Sequence, residues 1–296
     1  MAQSTTTKTY DVVGNREDLT DIISTITRKE TPLYSSLQRT KANSTYHETQ
    51  VDTLVTGSDN AQIEGFDYTL AVASARSRQG SYTQIFTKTV SVSKTQQAMN
   101  PAGIDDEFAY QTQKRMKEIA TDIEKALITG TGNSGASGAA RRLKGILSYM
   151  TTNVETGTGT GNEALTETMY NDHLKRIWDA GGRPDKTFVN GSQKRKISAF
   201  ATSNTRYIEM DESAKLINKV AVYESDFGTQ TIELDPFMDT DKVASLQMDL
   251  WALAVLRPVV YDDVPSVGSY KAGVIEGELT LESRNQAGSG QITQLS

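Results

Sequence analysis

Beyond Asn100-Pro101-Ala102-Gly103 the chain commits to a long helix. Asp105, Asp106 and Glu107 stand where the first turn favours negative charge, because unpaired N–H groups make that end of a helix positive. Ile104, Phe108, Ile119, Ile123 and Leu127 then recur at three- to four-residue steps, supported by Met116 and Ala120, and Gly130 ends the run. Residues 104–130 would form a rod of roughly 40 Å, long for a globular helix. Its other face is charged: Lys114, Arg115, Lys117, Glu118, Asp122, Glu124 and Lys125. The rest of the sequence offers little to bury such a rod. Only 36% of the 296 residues are hydrophobic and 7% aromatic. A compact chain of this size would hide roughly 75% of its unfolded surface. A flatter or more extended molecule, completing its burial on partners, fits better than a compact enzyme.

Two other segments share this shortage of local support. Residues 1–41 are polar, with one short amphipathic stretch (Leu19, Ile22, Ile23, Ile26) interrupted at Thr31-Pro32 and a second apolar patch at Leu33, Tyr34 and Leu37. They read as an arm anchored at a few points on some other surface. Residues 46–54 and 82–92 read as strands, the second placing Tyr82, Phe86, Val90 and Val92 on one face. With about 25 residues rich in Gly, Ser, Asp and Ala between them, they predict a long hairpin with an irregular tip. A two-stranded ribbon is marginal in water, and the sequence shows no local platform for it.

The remaining elements are mixed. Leu143, Gly145-Ile146-Leu147 and Tyr149 mark a short buried element. Leu165 and Tyr170 bracket Thr166 as a hydrophobic staple at a helix start, and Gly181-Gly182 ends that helix. Residues 187–190 predict a strand and 193–200 a helix. Residues 220–223 and 231–234 predict strands around a turn at Phe227-Gly228. Residues 250–260, broken at Arg257-Pro258, and 274–282 predict buried strands. Helices and strands do not alternate regularly, so the class is α+β.

Charge and composition exclude several functions. There are 31 basic and 37 acidic residues, and residues 201–296 alone hold 7 basic against 15 acidic. No basic domain exists to grip nucleic acid. Cysteine is absent and the histidines are His47 and His173, so thiolate chemistry, a zinc cage and a Ser-His-Asp site lack material. No apolar run is long enough to span a membrane, and residues 1–10 do not resemble a secretion signal. The expectation is a soluble chain made in a cytoplasm, with no cofactor and no metal.

No motif rescues a catalytic reading. Gly157, Gly159 and Gly161 lack the preceding strand and following helix of a phosphate-binding loop and read as surface. Asp105-Asp106 reads as helix capping and Asp262-Asp263 as a solvated turn. His173 reads as a satisfied, half-exposed side chain and His47 as a cross-strand hydrogen-bonder. The basic clusters Arg141-Arg142 with Lys144, and Lys194-Arg195-Lys196, are solvated faces or salt bridges. The sharper alternative pairs them between subunits with Asp235, Asp239 and Asp241, and Arg76 and Arg78 at the ribbon tip similarly. Tyr82, Phe86, Arg76, Arg78, Leu33, Tyr34, Arg141, Arg142, Lys194 and Arg195 are therefore the candidate intersubunit contacts.

An ordered set of short stretches carries a resemblance. Arg16-Glu17-Asp18-Leu19, Glu30-Thr31-Pro32-Leu33 with Ser35-Ser36-Leu37, and His47-Glu48-Thr49-Gln50-Val51-Asp52 come first. Gly80-Ser81-Tyr82-Thr83-Gln84-Ile85-Phe86 and Thr89-Val90-Ser91-Val92-Ser93 follow, then Trp178-Asp179-Ala180-Gly181-Gly182 and Lys194-Arg195-Lys196-Ile197-Ser198. Val222-Tyr223-Glu224-Ser225-Asp226-Phe227-Gly228, Leu256-Arg257-Pro258 and Glu282-Ser283-Arg284-Asn285 close the series. Together they resemble the major head proteins of tailed bacteriophages of the SU10-like family, from about Arg16 to the end.

The resemblance implies the Hong Kong 97-type capsid fold. Its parts would be an N-terminal arm (1–44), an extended loop (45–95), a peripheral domain (96–164 and 246–296) with a spine helix at about 104–130, and an axial domain (165–245). It implies self-assembly into pentamers and hexamers of an icosahedral or prolate head around double-stranded DNA, touched only weakly and non-specifically. It implies portal and possibly scaffolding or decoration proteins as partners, and residence in the virion after assembly in the host cytoplasm. Some shells of this fold weld a loop-tip lysine to an asparagine. This chain has no lysine between Lys41 and Lys88, so the expectation is a non-covalent shell. It also shows no charged helical prodomain, so any scaffold is expected as a separate protein. Rival readings are a tail-tube or decoration subunit, which the 104–127 helix disfavours, and a nucleotide-dependent enzyme using residues 157–161.

Overall fold

A computed structural model describes residues 30–296 except 55, 56, 69, 71–75, 100–103, 105, 158–162, 204–221 and 266. The amphipathic stretch at Leu19, Ile22, Ile23 and Ile26 lies outside the described residues. In chain order the elements are α1 (Pro32–Ser36), β1 (Gln38–Lys41), β2 (Tyr46–Val51), β3 (Ser77–Tyr82), β4 (Gln84–Ser93), α2 (Lys94–Ala98) and α3 (Glu107–Thr129). There follow β5 (Thr131–Asn133), β6 (Arg142–Lys144), α4 (Ile146–Tyr149), β7 (Val154–Thr156), α5 (Glu167–Asp179), β8 (Lys186–Val189) and α6 (Gly191–Ser203). The chain closes with β9 (Val222–Ser225), β10 (Gly228–Leu234), β11 (Val243–Leu246), β12 (Trp251–Val264), β13 (Tyr270–Ser283) and β14 (Gly290–Thr293).

The long helix is present as α3, with 23 residues. Asp106 caps it, its carboxylate accepting the N–H groups of Phe108 at 2.9 Å and Ala109 at 3.2 Å. Phe108, Ile119, Ile123 and Leu127 are buried as the spacing required. Two positions depart from the expectation. Met116, assigned to the apolar stripe, is 40% exposed. Glu124, assigned to the charged face, is fully buried, because its carboxylate accepts backbone N–H groups from α1.

The platform under α3 is a four-stranded sheet in the order β1-β12-β13-β4. Strands β12 and β13 form a 14-residue antiparallel pair, β4 adds antiparallel to β13, and β1 adds parallel to β12. Phe86, Leu253, Ile275, Leu279 and Leu281 from this sheet share one core with Ile119, Ile123, Leu127 and Ile128 of α3 and Leu33 and Leu37 of the arm. The expected break at Arg257-Pro258 is instead a pair of register shifts within a continuous β12, between Val255 and Val260. A bulge is where a strand can accept a residue that lacks an N–H donor. Asp262 and Asp263, expected in a turn, lie in this same strand.

The ribbon also differs from its expected form. Strand β2 pairs with β3 in antiparallel register from Tyr46↔Tyr82 to Val51↔Ser77, so the second hairpin strand is residues 77–82. Residues 84–93 turn away after Thr83 to join β13. The face predicted from Phe86, Val90 and Val92 is correct, and all three are buried. The reason is the partner: β13 offers Leu279, Ile275 and a full ladder, whereas β2 is polar on both faces.

A second sheet has six strands in the order β7-β14-β11-β8-β10-β9. Thr166 caps α5 by accepting the Met169 N–H at 3.3 Å, and Leu165 and Tyr170 pack together in the adjoining core as the staple pattern predicts. On that face Leu174, Val189, Ile197, Ile232, Val243 and Ile292 join them. The neighbouring residues Phe188 and Ala244 point the other way, into the first core, as the two-residue period of a strand dictates. The β9-β10 hairpin turns at Gly228, whose φ of +124° suits glycine. Membership of this sheet is wider than the expected 165–245 segment. It takes β7 and β14 from outside that segment, because the parallel β7–β14 pair needs β11 beside it to complete its hydrogen bonding.

Candidate assembly surfaces

The exposed loop that leaves the ribbon is the first candidate. Every described residue from Asp52 to Leu70 is exposed. Leu54, Ile63, Tyr68 and Leu70 show 80–99% of their surface, and Phe66 meets Tyr68 edge-on at 5.5 Å between ring centroids. Large apolar side chains this exposed mark an interaction surface when they cluster. Asp52 precedes them and Asp59, Glu64 and Asp67 stand between them, giving the loop an acidic, apolar character.

The base of the ribbon rests on a polar row of β13. Glu278, Thr280 and Glu282 alternate along the strand and so share a face. Glu278 accepts from the Thr83 hydroxyl at 2.6 Å, from Arg141 at 2.8 Å and from Arg257 Nε at 3.3 Å. Thr280 donates its hydroxyl to the Tyr82 carbonyl at 2.9 Å. Glu282 meets His47 Nε2 at 2.9 Å, Thr40 Oγ1 at 2.8 Å and Arg284 Nε at 3.1 Å. Burial alone would raise the Glu282 carboxyl, but hydrogen bonds from His47, Thr40 and Arg284 outweigh it and hold the group below its ordinary value. The row fixes where the ribbon leaves the body. His47 therefore bonds to β13 rather than across its own ribbon as expected.

The sequence-derived contact residues divide into two groups. Arg76 faces Asp52 and Arg78 faces Glu48, each at 3.6 Å on the exposed ribbon. Such pairs are worth well under about 1 kcal/mol, so both guanidinium groups are available to a neighbour. Arg142 and Arg195 are exposed. Tyr34 is half-buried beneath the Arg39 guanidinium, and Tyr82 is half-buried against Tyr46. The other four point inward or are engaged. Leu33 and Phe86 lie in the chain's own core at 0% and 5% exposure. Lys194 is buried and donates to the Ile232 carbonyl at 2.7 Å, and Arg141 is held by Glu278. Among the proposed acidic partners, Asp235 is fully buried and Asp239 is paired with Lys242 at 2.7 Å.

His173 also departs from expectation. It is fully buried, and neither ring nitrogen has a hydrogen-bond partner among the described residues. Burial, aided by the charge of Arg176, pushes it down to about 3, so it is neutral in the folded protein. Sequence reasoning missed the roles of Glu278, Glu282 and Thr83, and it placed Glu124 and Asp235, both fully buried, at the surface. The signal for the first two was present: Glu276, Glu278, Thr280 and Glu282 interleave with Ile275, Leu279 and Leu281, a polar face on an otherwise buried strand. Gly159 and Gly161 lie outside the described residues. Among the described residues no His, Asp and Glu group is placed to hold a metal, and no helix is long and apolar enough to cross a membrane.

Comparison with known proteins places these surfaces in context. The family model described as SU10 major capsid protein matches residues 3–296. The major capsid protein of Escherichia phage Phieco32 is 24% identical over 343 residues, covering 99% of this chain and 97% of that protein. Among solved structures, the capsid asymmetric unit of Cyanophage A-1(L) superposes with a TM-score of 0.73 at 13% identity, over 97% of this chain and 98% of that one. The capsid of the native GTA particle gives 0.67 at 11% identity, over 97% of both chains.

Proposed function

The chain belongs to the SU10 major capsid protein family, with the Hong Kong 97-type fold, and from that premise we propose that it is the shell-forming subunit of a phage head, completed by neighbouring copies of itself. One observation carries the reading: the exposed side chains of Leu54, Ile63, Tyr68 and Leu70 in the segment between the two strands of the ribbon. A ribbon of this kind is too weak to order its tip unaided. Laid on an adjacent copy, the tip buries apolar surface worth roughly 25 cal/mol per Å².

Head-to-tail contacts between identical subunits close into rings when the rotation permits. Five- and six-fold rings, joined by further weak contacts, then form a closed head that holds together through multivalency. In this reading Arg76, Arg78, Arg142, Arg195, Tyr34 and Tyr82 supply polar contacts at the rim. The mostly acidic surface encloses double-stranded DNA without gripping it. Assembly takes place in the host cytoplasm, with a portal as partner, and any scaffold is a separate protein. Electron microscopy of the purified protein tests the reading. Hollow shells or ring-shaped capsomers are expected; a monodisperse monomer under all assembly conditions would overturn it.

A further inference from the structure

Strand β10 carries a protrusion at one end and a recess at the other. At its start, Phe227 of the turn before Gly228 braces Trp178 at the end of α5, with ring centroids 6.0 Å apart. Trp178 is 52% exposed, whereas the other tryptophan of the chain, Trp251, is fully buried. An indole has few torsions to freeze, so a half-exposed one is an economical anchor for an interface. Lys175 stands one turn before it on α5, and Arg183 follows the end of that helix; both are exposed. Lys175 faces Asp179 at 3.9 Å with both side chains open to solvent.

At the far end of β10, Ile232 and Leu234 form one wall of a cleft of about 440 Å³, and Pro32 stands in the opposite wall. Leu234 is 45% exposed. A recess of this size takes a small aromatic group. Two carboxylates line it, Glu30 and Glu233. Glu233 is paired with Lys186 at 2.6 Å, and Lys194, also in the lining, is buried and donates to the Ile232 carbonyl at 2.7 Å. The exposed charge at the mouth is the Glu30 carboxylate.

The seven residues of β10 hold knob and cleft about 20 Å apart, so a single copy cannot join them within itself. Two copies in line can, with the basic flank of the knob against the acidic mouth of the cleft. Such a contact is head-to-tail, and its repetition closes into a ring when the rotation permits. Resting on the reading of the chain as a shell subunit, we propose that Trp178 of one copy seats between Pro32, Ile232 and Leu234 of the next, with Lys175 and Arg183 beside Glu30. This contact joins subunits within a ring and is separate from the one made by the ribbon loop.

Cross-linking and assembly of the full-length chain, which has no cysteine, test the contact. Lys175→Cys and Glu30→Cys in one chain, treated as assembled particles with a short bis-maleimide, should give a ladder of dimers, trimers and larger products on a denaturing gel. Either substitution alone should stay monomeric. Trp178→Ala should raise the protein concentration needed for rings and shells at least about tenfold. Trp178→Phe, which still fills the cleft, should assemble near the wild-type concentration. If Trp178→Ala does not fold, Leu234→Lys puts a charge into the cleft and should raise that concentration similarly. A doubly substituted chain whose particles form but yield no ladder would overturn the contact and leave the shell reading standing. Assembly of Trp178→Ala and Leu234→Lys at the wild-type concentration would do the same, and would mean that another occupant, such as residues 1–29 of the chain itself, fills the cleft. A wild-type chain that forms no assembly at all would overturn both.

Discussion

Glu278 and His173 show how single buried groups set the limits of this fold. Three donors from three segments converge on Glu278, among them Arg141 and Arg257. Glu278→Ala removes the acceptor of Thr83 and the carboxylate of Arg141, while Arg257 keeps Glu276 at 2.6 Å. Hydrogen bonds to a charged group are worth about 1.5–3 kcal/mol, so a loss of about 2 kcal/mol is expected. Denaturant unfolding of dissociated subunits would measure it; a loss below about 1 kcal/mol would mean that the row does not carry the ribbon. His173 links stability to acid pH. Its folded value lies below its ordinary 6.5, at about 3, so its neutral, buried state is favoured above 6.5 and that advantage is lost as pH falls toward 3. His173→Leu should flatten the acid limb of stability between those values, read by unfolding at pH 4 and pH 7. A limb as steep as in the wild type would exclude His173 as its source.

Among the elements, the ribbon loop separates folding from association most sharply. Replacing Leu54, Ile63, Tyr68 and Leu70 together by Ser touches side chains that are 80–99% exposed. Subunit stability should change by no more than about 0.5 kcal/mol per site, while shells and capsomers disappear from micrographs and sedimentation profiles. Loss of monomer folding instead would show that the loop packs on its own body. Helix α3 and the Leu165/Tyr170 staple were legible in the sequence because their signals are local: a cap, a period and a stop. The fate of residues 82–92 was not legible. Their alternation was correct, but their partner β13 lies nearly 190 residues downstream, and a period of two names a face without naming a neighbour. Glu124 was misread for a related reason. Its burial depends on two arm amides that no helical wheel contains.

For the whole molecule, the sequence foretold the fold class but not the internal economy of the two sheets. The ribbon that showed no local platform in the sequence has its base on β13. That one six-stranded sheet feeds two cores through Phe188 and Val189 could be known only from the register. At this scale the absence of lysine between Lys41 and Lys88 predicts a shell without loop-tip cross-links. Mature particles boiled in detergent should run as one band near 32.4 kDa; a ladder of multiples would contradict it.

The join between β4 and β13 also orders events in time. A ribosome releases residues 46–93 long before residues 270–283 exist. Until those arrive, the ribbon has neither its supporting strand nor the Glu278 and Glu282 footing. A nascent or prematurely terminated product therefore lacks the footing on which the base of the ribbon rests.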